Sequence, residues 1–321
     1  MRIKAIATRR LPAKVEARMR ALFDVRLNAT DVPLGREALA AAMADCDALA
    51  VALTDRIDAD LIRRAGPRLK LIANYGAGTD NIDLAAAGAR GIAVTNTPGV
   101  LTEDTADLAM ALILMTLRGF AEGERTLRAG RWSGWSPTDQ LGTTLAGKAL
   151  GIVGMGRIGQ ALARRARAFG MRILYHNRRR LDGALESEAG AEYRESLDTL
   201  LAEADVVSLN APWSAKSDRM IDARRLAVMR PGAWLINTAR GALVDEHALF
   251  DALGSGRIAG AGFDVYPKEP EVDPRLLALS NVVLLPHLGS ATHETRTAMG
   301  MMIVDNLLAL AEGRELANRV A

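Results

Sequence analysis

With 321 residues, the chain exceeds what one ordinary hydrophobic core accommodates, so one large or two medium domains are expected. Hydrophobic residues at 49% and charged residues at 25% exclude a disordered chain, and 41 basic against 38 acidic side chains, a net charge of +3, are too evenly matched to indicate nucleic acid or an anionic membrane as a partner. The single cysteine, Cys46, excludes an intramolecular disulfide framework and a cysteine-rich zinc site; it reads as a small buried residue, and no metal is expected.

The first strand is expected over Ile3–Thr8. This start lacks the apolar core and cleavage site of a signal peptide, and no later run reaches the ~18 apolar residues of a membrane span, so a cytoplasmic location is expected. Strands follow at Ala48–Leu53, Leu69–Asn74 and Ile92–Thr95, with helices at Glu37–Ala44 and Asp58–Ala65. Asn96-Thr97-Pro98-Gly99 is then a turn-rich break. Thr102 is placed to cap the next helix, Glu103 and Asp104 suit its positive end, and Leu108–Leu117 reads as buried helix. The segment Arg131–Pro137 holds Trp132 and Trp135 and has little periodicity. It is either a surface loop or an arm that packs on another subunit, with Trp132 expected in the core. A second series of strands covers Ala149–Val153, Arg172–His176, Val206–Asn210, Trp234–Asn237, Ile258–Val265 and Val282–Leu285, with helices at Ile158–Phe169 and Glu246–Leu253. Pro286-His287-Leu288-Gly289 forms a second break before a closing helix over Thr295–Leu310. Several strands are continuous apolar runs, the pattern of parallel strands covered on both faces, so an α/β fold is predicted. The two breaks suggest a discontinuous domain of residues 1–98 plus 290–321 and a second of residues 99–289.

Gly154-Met155-Gly156-Arg157-Ile158-Gly159 has a strand before it, a helix after it and a second strand beyond Gly170. Its glycines allow a tight turn, approach of a pyrophosphate and close helix–strand packing, and the helix N-terminus faces the phosphates. The second strand of an NAD site usually ends in Asp or Glu, which bonds the ribose 2′-hydroxyl. This chain has Asn177, Arg178, Arg179 and Arg180 there. The missing carboxylate removes repulsion toward a 2′-phosphate, and guanidiniums grip one with paired hydrogen bonds, so NADP(H) is predicted.

Three further motifs each follow an expected strand: Asn237-Thr238-Ala239-Arg240-Gly241, Phe263-Asp264-Val265-Tyr266-Pro267-Lys268-Glu269-Pro270, and Pro286-His287-Leu288-Gly289-Ser290-Ala291-Thr292. Strand carboxyl ends face the ligand crevice of an open α/β sheet, which draws one Arg, one Glu and one His toward a nicotinamide. With the loop Asn74-Tyr75-Gly76-Ala77-Gly78-Thr79-Asp80-Asn81-Ile82-Asp83, these motifs resemble the D-2-hydroxyacid dehydrogenase family over essentially the whole chain. The Thr8–Pro12 start, the Trp132–Pro137 segment and the Asn177–Arg180 turn look most like its glyoxylate/hydroxypyruvate reductase branch.

The resemblance implies two doubly wound parallel-sheet domains, a Rossmann-type cofactor domain and a flavodoxin-like substrate domain, with the active site in the cleft between them. It implies that Arg240 holds the substrate carboxylate and polarises the carbonyl, that His287 is the acid/base, and that Glu269 orients and charges the His287 ring. Cofactor contacts are expected from Thr105, Gly154, Gly156, Arg157, Ile158, Gly159, Asn177, Arg178, Arg179, Asn210, Pro212, Thr238, Ala239, Arg240, Asp264, His287 and Gly289. Substrate contacts are expected from Leu53, Tyr75, Gly76, Ala77, Gly78, Arg240, His287 and Ser290, with Trp135 reaching in from the partner of a homodimer; Tyr75 either lines the pocket or packs. Departures also inform. No lysine stands in the Tyr75–Gly78 loop, as phosphite oxidation would need, and Pro286 rather than glutamine precedes His287, unlike the formate-oxidising branch. The expected activity is NADPH-dependent reduction of glyoxylate and hydroxypyruvate to glycolate and D-glycerate. The alternatives are a dehydrogenase of another D-2-hydroxy acid, D-lactate-like, and a nucleotide-sensing corepressor.

Overall fold

The computed structural model describes residues Arg2–Ala321. Two parallel sheets organise them. The first contains β1 (Lys4–Ala7), β2 (Asp24–Arg26), β3 (Ala48–Ala52), β4 (Leu71–Tyr75) and β5 (Ala93–Thr95), in the order β2-β1-β3-β4-β5. The second contains β6 (Ala149–Val153), β7 (Arg172–His176), β8 (Ala191–Tyr193), β9 (Val206–Leu209), β10 (Ala233–Asn237), β11 (Ile258–Phe263) and β12 (Val282–Leu284), in the order β12-β11-β10-β9-β6-β7-β8. Both orders are doubly wound. The direction of winding reverses between β1 and β3 in one sheet and between β6 and β9 in the other, and such switch points open a crevice at the strand carboxyl ends.

Packing divides the chain into two compact units, residues up to Leu101 with Ser290–Ala321, and Thr102–Gly289. In the first unit, one face of the sheet packs on Val15 and Met19 of the helix Ala13–Leu22 and on Met299, Ile303 and Leu307 of the helix His293–Ala311. The other face meets the helices Arg36–Asp45 and Ala59–Arg64, where Cys46 is fully buried. Asp58 caps the second of these through the Leu61 N–H, so the helix begins one residue later than the sequence pattern suggests.

In the second unit the helix Arg157–Ala168 turns Gly159, Ala161, Leu162, Ala163 and Ala166 inward. The glycine and alanines among them let it share a core with Ala106, Ala109, Met110 and Ile113 of the helix Thr102–Leu117. Ion pairs from Arg165 to Asp107 (2.6 Å) and from Arg164 to Glu103 (3.0 Å) border the contact. Thr102 is the first residue inside its helix rather than a cap in front of it. The expected core position of Trp132 is also corrected: its side chain is 54% exposed and Trp135 is 84% exposed. The strands β2 and β8 have no clear sequence signature, because each is a three-residue edge strand with no fully buried residue. Among the described residues, no helix is long and apolar enough to cross a membrane, and no group of three His, Cys, Asp or Glu side chains is arranged to hold a metal.

Candidate active site

In the second unit the loops after β10, β11 and β12 bring Arg240, Glu269 and His287 together. After β10, the buried Asn237 closes a small loop: its Oδ1 accepts the Ala239 N–H (3.0 Å) and its Nδ2 donates to the Arg240 carbonyl (2.9 Å). The Arg240 side chain emerges from that loop and donates one N–H to the Ala239 carbonyl (2.7 Å). Gly241 is required next. A Cβ there would lie 2.1 Å from the Tyr266 carbonyl carbon and 2.3 Å from the Pro267 nitrogen, both backbone atoms. This close approach lays the loop after β11 against the loop after β10.

Glu269 sits in the loop after β11. Its Oε1 accepts the Tyr266 N–H (2.9 Å) and its Oε2 lies 2.7 Å from His287 Nδ1. Burial by itself pushes this carboxyl up, but the His287 contact, the Tyr266 N–H and the charges of His287 and Arg240 outweigh burial and hold Glu269 below the usual carboxylate range. It is therefore an anion at neutral pH. With Nδ1 engaged, the Nε2 edge of the His287 ring is the one left to face a ligand.

The His287 backbone is strained. Its φ is +56°, a left-handed conformation unusual for a residue with a Cβ. Asp264 holds it there. The Asp264 carbonyl accepts the His287 N–H (2.9 Å), and its carboxylate accepts the N–H groups of Leu288 (2.7 Å) and Gly289 (2.9 Å). Burial raises the Asp264 pKa, while these N–H groups and His287 oppose the rise. Thr105 completes the turn by donating to the Gly289 carbonyl (3.0 Å). Thr105, Asp264 and Gly289, expected to touch cofactor, thus also shape the histidine loop.

The glycine loop lies between β6 and its helix. Gly154 has φ +98°, and a Cβ there would lie 2.6 Å from the Ala211 nitrogen; a Cβ on Gly159 would lie 2.5 Å from the Gly154 carbonyl oxygen. Above Gly156 a Cβ would meet nothing within 4 Å. Two buried polar atoms at neighbouring strand ends, Asn210 Oδ1 and Thr238 Oγ1, have no partner among the described residues. An open space over the middle glycine, a helix N-terminus and orphaned buried acceptors fit a dinucleotide.

At the end of β7, Asn177 Oδ1 accepts the Met155 N–H (2.7 Å) and ties this turn to the glycine loop. The three arginines that follow are not equivalent. Arg180 is committed to Glu186, with contacts of 2.8 Å to each carboxylate oxygen, and its guanidinium lies over the Tyr193 ring at 5.5 Å. Arg180 and Tyr175 together lower the Glu186 pKa to about 2. Arg178 and Arg179 are exposed and take part in no ion pair among the described residues.

Leu53, Tyr75, Gly76, Ala77, Gly78 and Ser290 belong to the first unit, at or after the strand ends. Tyr75 is 7% exposed and its hydroxyl donates to the Arg296 carbonyl (2.5 Å), so it packs. The sequence motifs include Gly241 and Asn237 without a role for either, and name Asn177 for cofactor contact rather than for tying two loops together; an Asn at a strand end before a tight loop is the signal for that role.

A family model described as D-isomer specific 2-hydroxyacid dehydrogenase, NAD binding domain, matches residues 110–289. The chain is 46% identical to the glyoxylate reductase of Thermococcus litoralis over 324 residues, covering 100% of this chain and 97% of that protein. It is 47% identical to the glyoxylate reductase of Aeropyrum pernix over 304 residues, covering 93% and 90%. Among solved structures it is similar to the NADPH-dependent glyoxylate/hydroxypyruvate reductase of Sinorhizobium meliloti in complex with NADP and malonate. That match has a TM-score of 0.90 at 38% identity and covers 100% of this chain and 97% of the other.

The open space over Gly156 sets a test. Gly156→Ala is expected to cost at most about 1 kcal/mol of stability, because the methyl meets no protein atom and only a helix-capping preference is lost. Dinucleotide affinity is expected to fall at least about tenfold, a difference of ~1.4 kcal/mol. Thermal unfolding and a fluorescence titration measure the two effects separately.

Proposed function

The chain belongs to the D-isomer specific 2-hydroxyacid dehydrogenase family, and from that premise we propose that it reduces glyoxylate and hydroxypyruvate to glycolate and D-glycerate with NADPH. The Glu269–His287 contact of 2.7 Å beside Arg240 carries the reading. Reduction adds a hydride to the carbonyl carbon and a proton to its oxygen. When bound, the reduced nicotinamide supplies the hydride. Arg240 offers a planar, permanently charged fork for the substrate carboxylate and draws electron density toward the carbonyl oxygen. His287, as imidazolium, gives the proton on Nε2 to that oxygen as the C–O π bond breaks, and the ring is left neutral. Glu269 favours the charged ring and fixes its plane. Relatives at 46% and 47% identity bear the name glyoxylate reductase, which supports the substrate class over a D-lactate-like one.

The cofactor preference has a physical basis at β7. Asn177 uses its carboxamide oxygen on Met155, so it presents only its NH2 group outward. A donor suits a 2′-phosphate and provides no acceptor for the proton of a 2′-hydroxyl. Arg178 and Arg179, with no carboxylate to hold them, complete an anion site, while Glu186 keeps Arg180 out of it.

We assign the exposed arm to a homodimer interface. The helix Phe120–Arg128 buries none of its residues; Phe120 and Leu127 on it, and Trp132, Trp135 and Leu141 in the segment after it, are exposed apolar side chains. Trp135, the most exposed of these, is the side chain we assign to the partner's substrate pocket.

Three experiments test these readings. Initial rates with glyoxylate and hydroxypyruvate are expected to favour NADPH over NADH, and Arg178→Ala with Arg179→Ala is expected to raise the KM for NADPH about tenfold or more with little change for NADH; a preference for NADH in the wild type would reject the phosphate site. In Glu269→Gln the kcat for glyoxylate reduction is expected to fall at least about tenfold, the equivalent of ~1.4 kcal/mol, while the Kd for NADPH stays near wild type. A wild-type kcat in that variant would remove Glu269 from this role. Sedimentation is expected to show a dimer, and Trp135→Ala to alter the ratio of kcat/KM for glyoxylate and hydroxypyruvate; a monomer with an unaltered ratio contradicts the arm assignment.

A further inference from the structure

Resting on the reading of this protein as a keto-acid reductase, we propose that Tyr266 is a positioning residue whose side-chain hydroxyl sets His287 against Glu269. Tyr266 belongs to the second unit and stands where the three loops that carry Arg240, Glu269 and His287 meet. Its backbone serves two of them. The Tyr266 carbonyl carbon lies 2.1 Å from where a Cβ on Gly241 would stand, against the loop of Arg240. The Tyr266 N–H holds Glu269 Oε1 (2.9 Å). The side chain serves the third loop: its hydroxyl donates to the carbonyl of Leu285 (2.9 Å), just ahead of Pro286 and His287.

That carbonyl occupies a gap in the backbone bonding. The parallel pairing of β11 with β12 ends at Leu284. Beyond it the Leu285 N–H donates to the Phe263 carbonyl (2.8 Å) and the His287 N–H to the Asp264 carbonyl (2.9 Å). The Leu285 carbonyl lies between these two bonds, and no backbone N–H reaches it among the described residues. It shares one rigid peptide plane with the Pro286 nitrogen. The proline ring fixes φ, so a single free dihedral, the Pro286 ψ, separates that plane from the His287 peptide. A donor that holds the Leu285 carbonyl therefore governs where the histidine begins. Asp264 grips the left-handed turn at His287 and after it; Tyr266 grips it from before.

The side chain is suited to this task. A phenol has one proton, and the Phe263 carbonyl at 3.5 Å is too distant to compete with Leu285 for it. The ring is half-buried and packs against the core of the unit, so the hydroxyl is aimed by packing as well as by its bond. Burial, with the charges of Asp264 and Glu269, pushes the phenol up to about 12 and keeps it a donor at neutral pH. Phenylalanine would fill the same space and keep both backbone contacts. It would lose only the bond to Leu285.

The test is Tyr266→Phe in the full-length enzyme. The kcat for glyoxylate reduction with NADPH is expected to fall at least about tenfold, because proton transfer depends on the placement of the ring. The KM for glyoxylate, the Kd for NADPH and the melting temperature are expected to stay near wild type. A second readout needs no turnover. The His287 Nδ1 proton shared with Glu269 gives a low-field NMR resonance, identified by its absence from His287→Gln, and this resonance is expected to shift or broaden in Tyr266→Phe. A wild-type kcat overturns the proposal, as does an unmoved resonance. A loss spread equally over kcat, KM and NADPH affinity also overturns it, since that marks general loosening of the unit. If the wild type reduces neither glyoxylate nor hydroxypyruvate, the keto-acid reading falls, and the resonance alone decides whether Tyr266 sets the contact.

Discussion

The chemistry of the second unit depends on one charged contact, Glu269 Oε2 to His287 Nδ1 at 2.7 Å. Much of the surrounding structure exists to hold its two ends. Gly241 has no Cβ, so the loop after β10 lies against Tyr266, and the Tyr266 N–H fixes the other oxygen of Glu269. Asp264 draws three consecutive backbone N–H groups, those of His287, Leu288 and Gly289, around itself and keeps the histidine in a left-handed turn. Strain of this kind persists only where the surroundings over-determine it. Here the determining group is a buried carboxylate whose N–H partners oppose, without cancelling, the upward push of its burial.

Asparagine recurs at the carboxyl ends of the strands in both units. Asn74, Asn96, Asn177 and Asn237 each engage backbone in the loop that follows or adjoins the strand. The physical reason is shared. Parallel strands leave polar backbone groups at these ends, and short loops there carry no ladder of their own. A carboxamide both donates and accepts, so it satisfies them with one side chain. It is also uncharged, so it does not repel anions such as a dinucleotide or a keto acid. Asp264 is the exception, and its carboxylate oxygens are turned onto backbone N–H groups.

The three arginines after β7 show how a charge motif is resolved by its neighbours. As a string they are equivalent. In the fold, Glu186 and the Tyr193 ring take Arg180, and two guanidiniums remain. Glu186 comes from a helix, Gly183–Ala189, that the turn itself leads into, and nothing in the spacing of Arg180 and Glu186 marks them as partners.

The α/β class is legible in the chain because short apolar runs alternate with helical segments, the pattern of parallel strands covered on both faces, and the glycine loop is legible because its flanking strand and helix are local. Family resemblance brought Arg240, Glu269 and His287 forward as a set. It left open which edge of the histidine ring is engaged, which arginine is withdrawn and how the glycine loop after Tyr75 is held. Two edge strands escaped because three half-exposed residues carry no period, and Trp132 was misplaced because an aromatic side chain reads as core whether or not a core is there to receive it. Tertiary structure decided these points for one reason. Each depends on a partner distant in sequence, Asn96 for Ala77 and Asp264 for Leu288, and a hydrogen bond between distant residues leaves no periodicity in the chain.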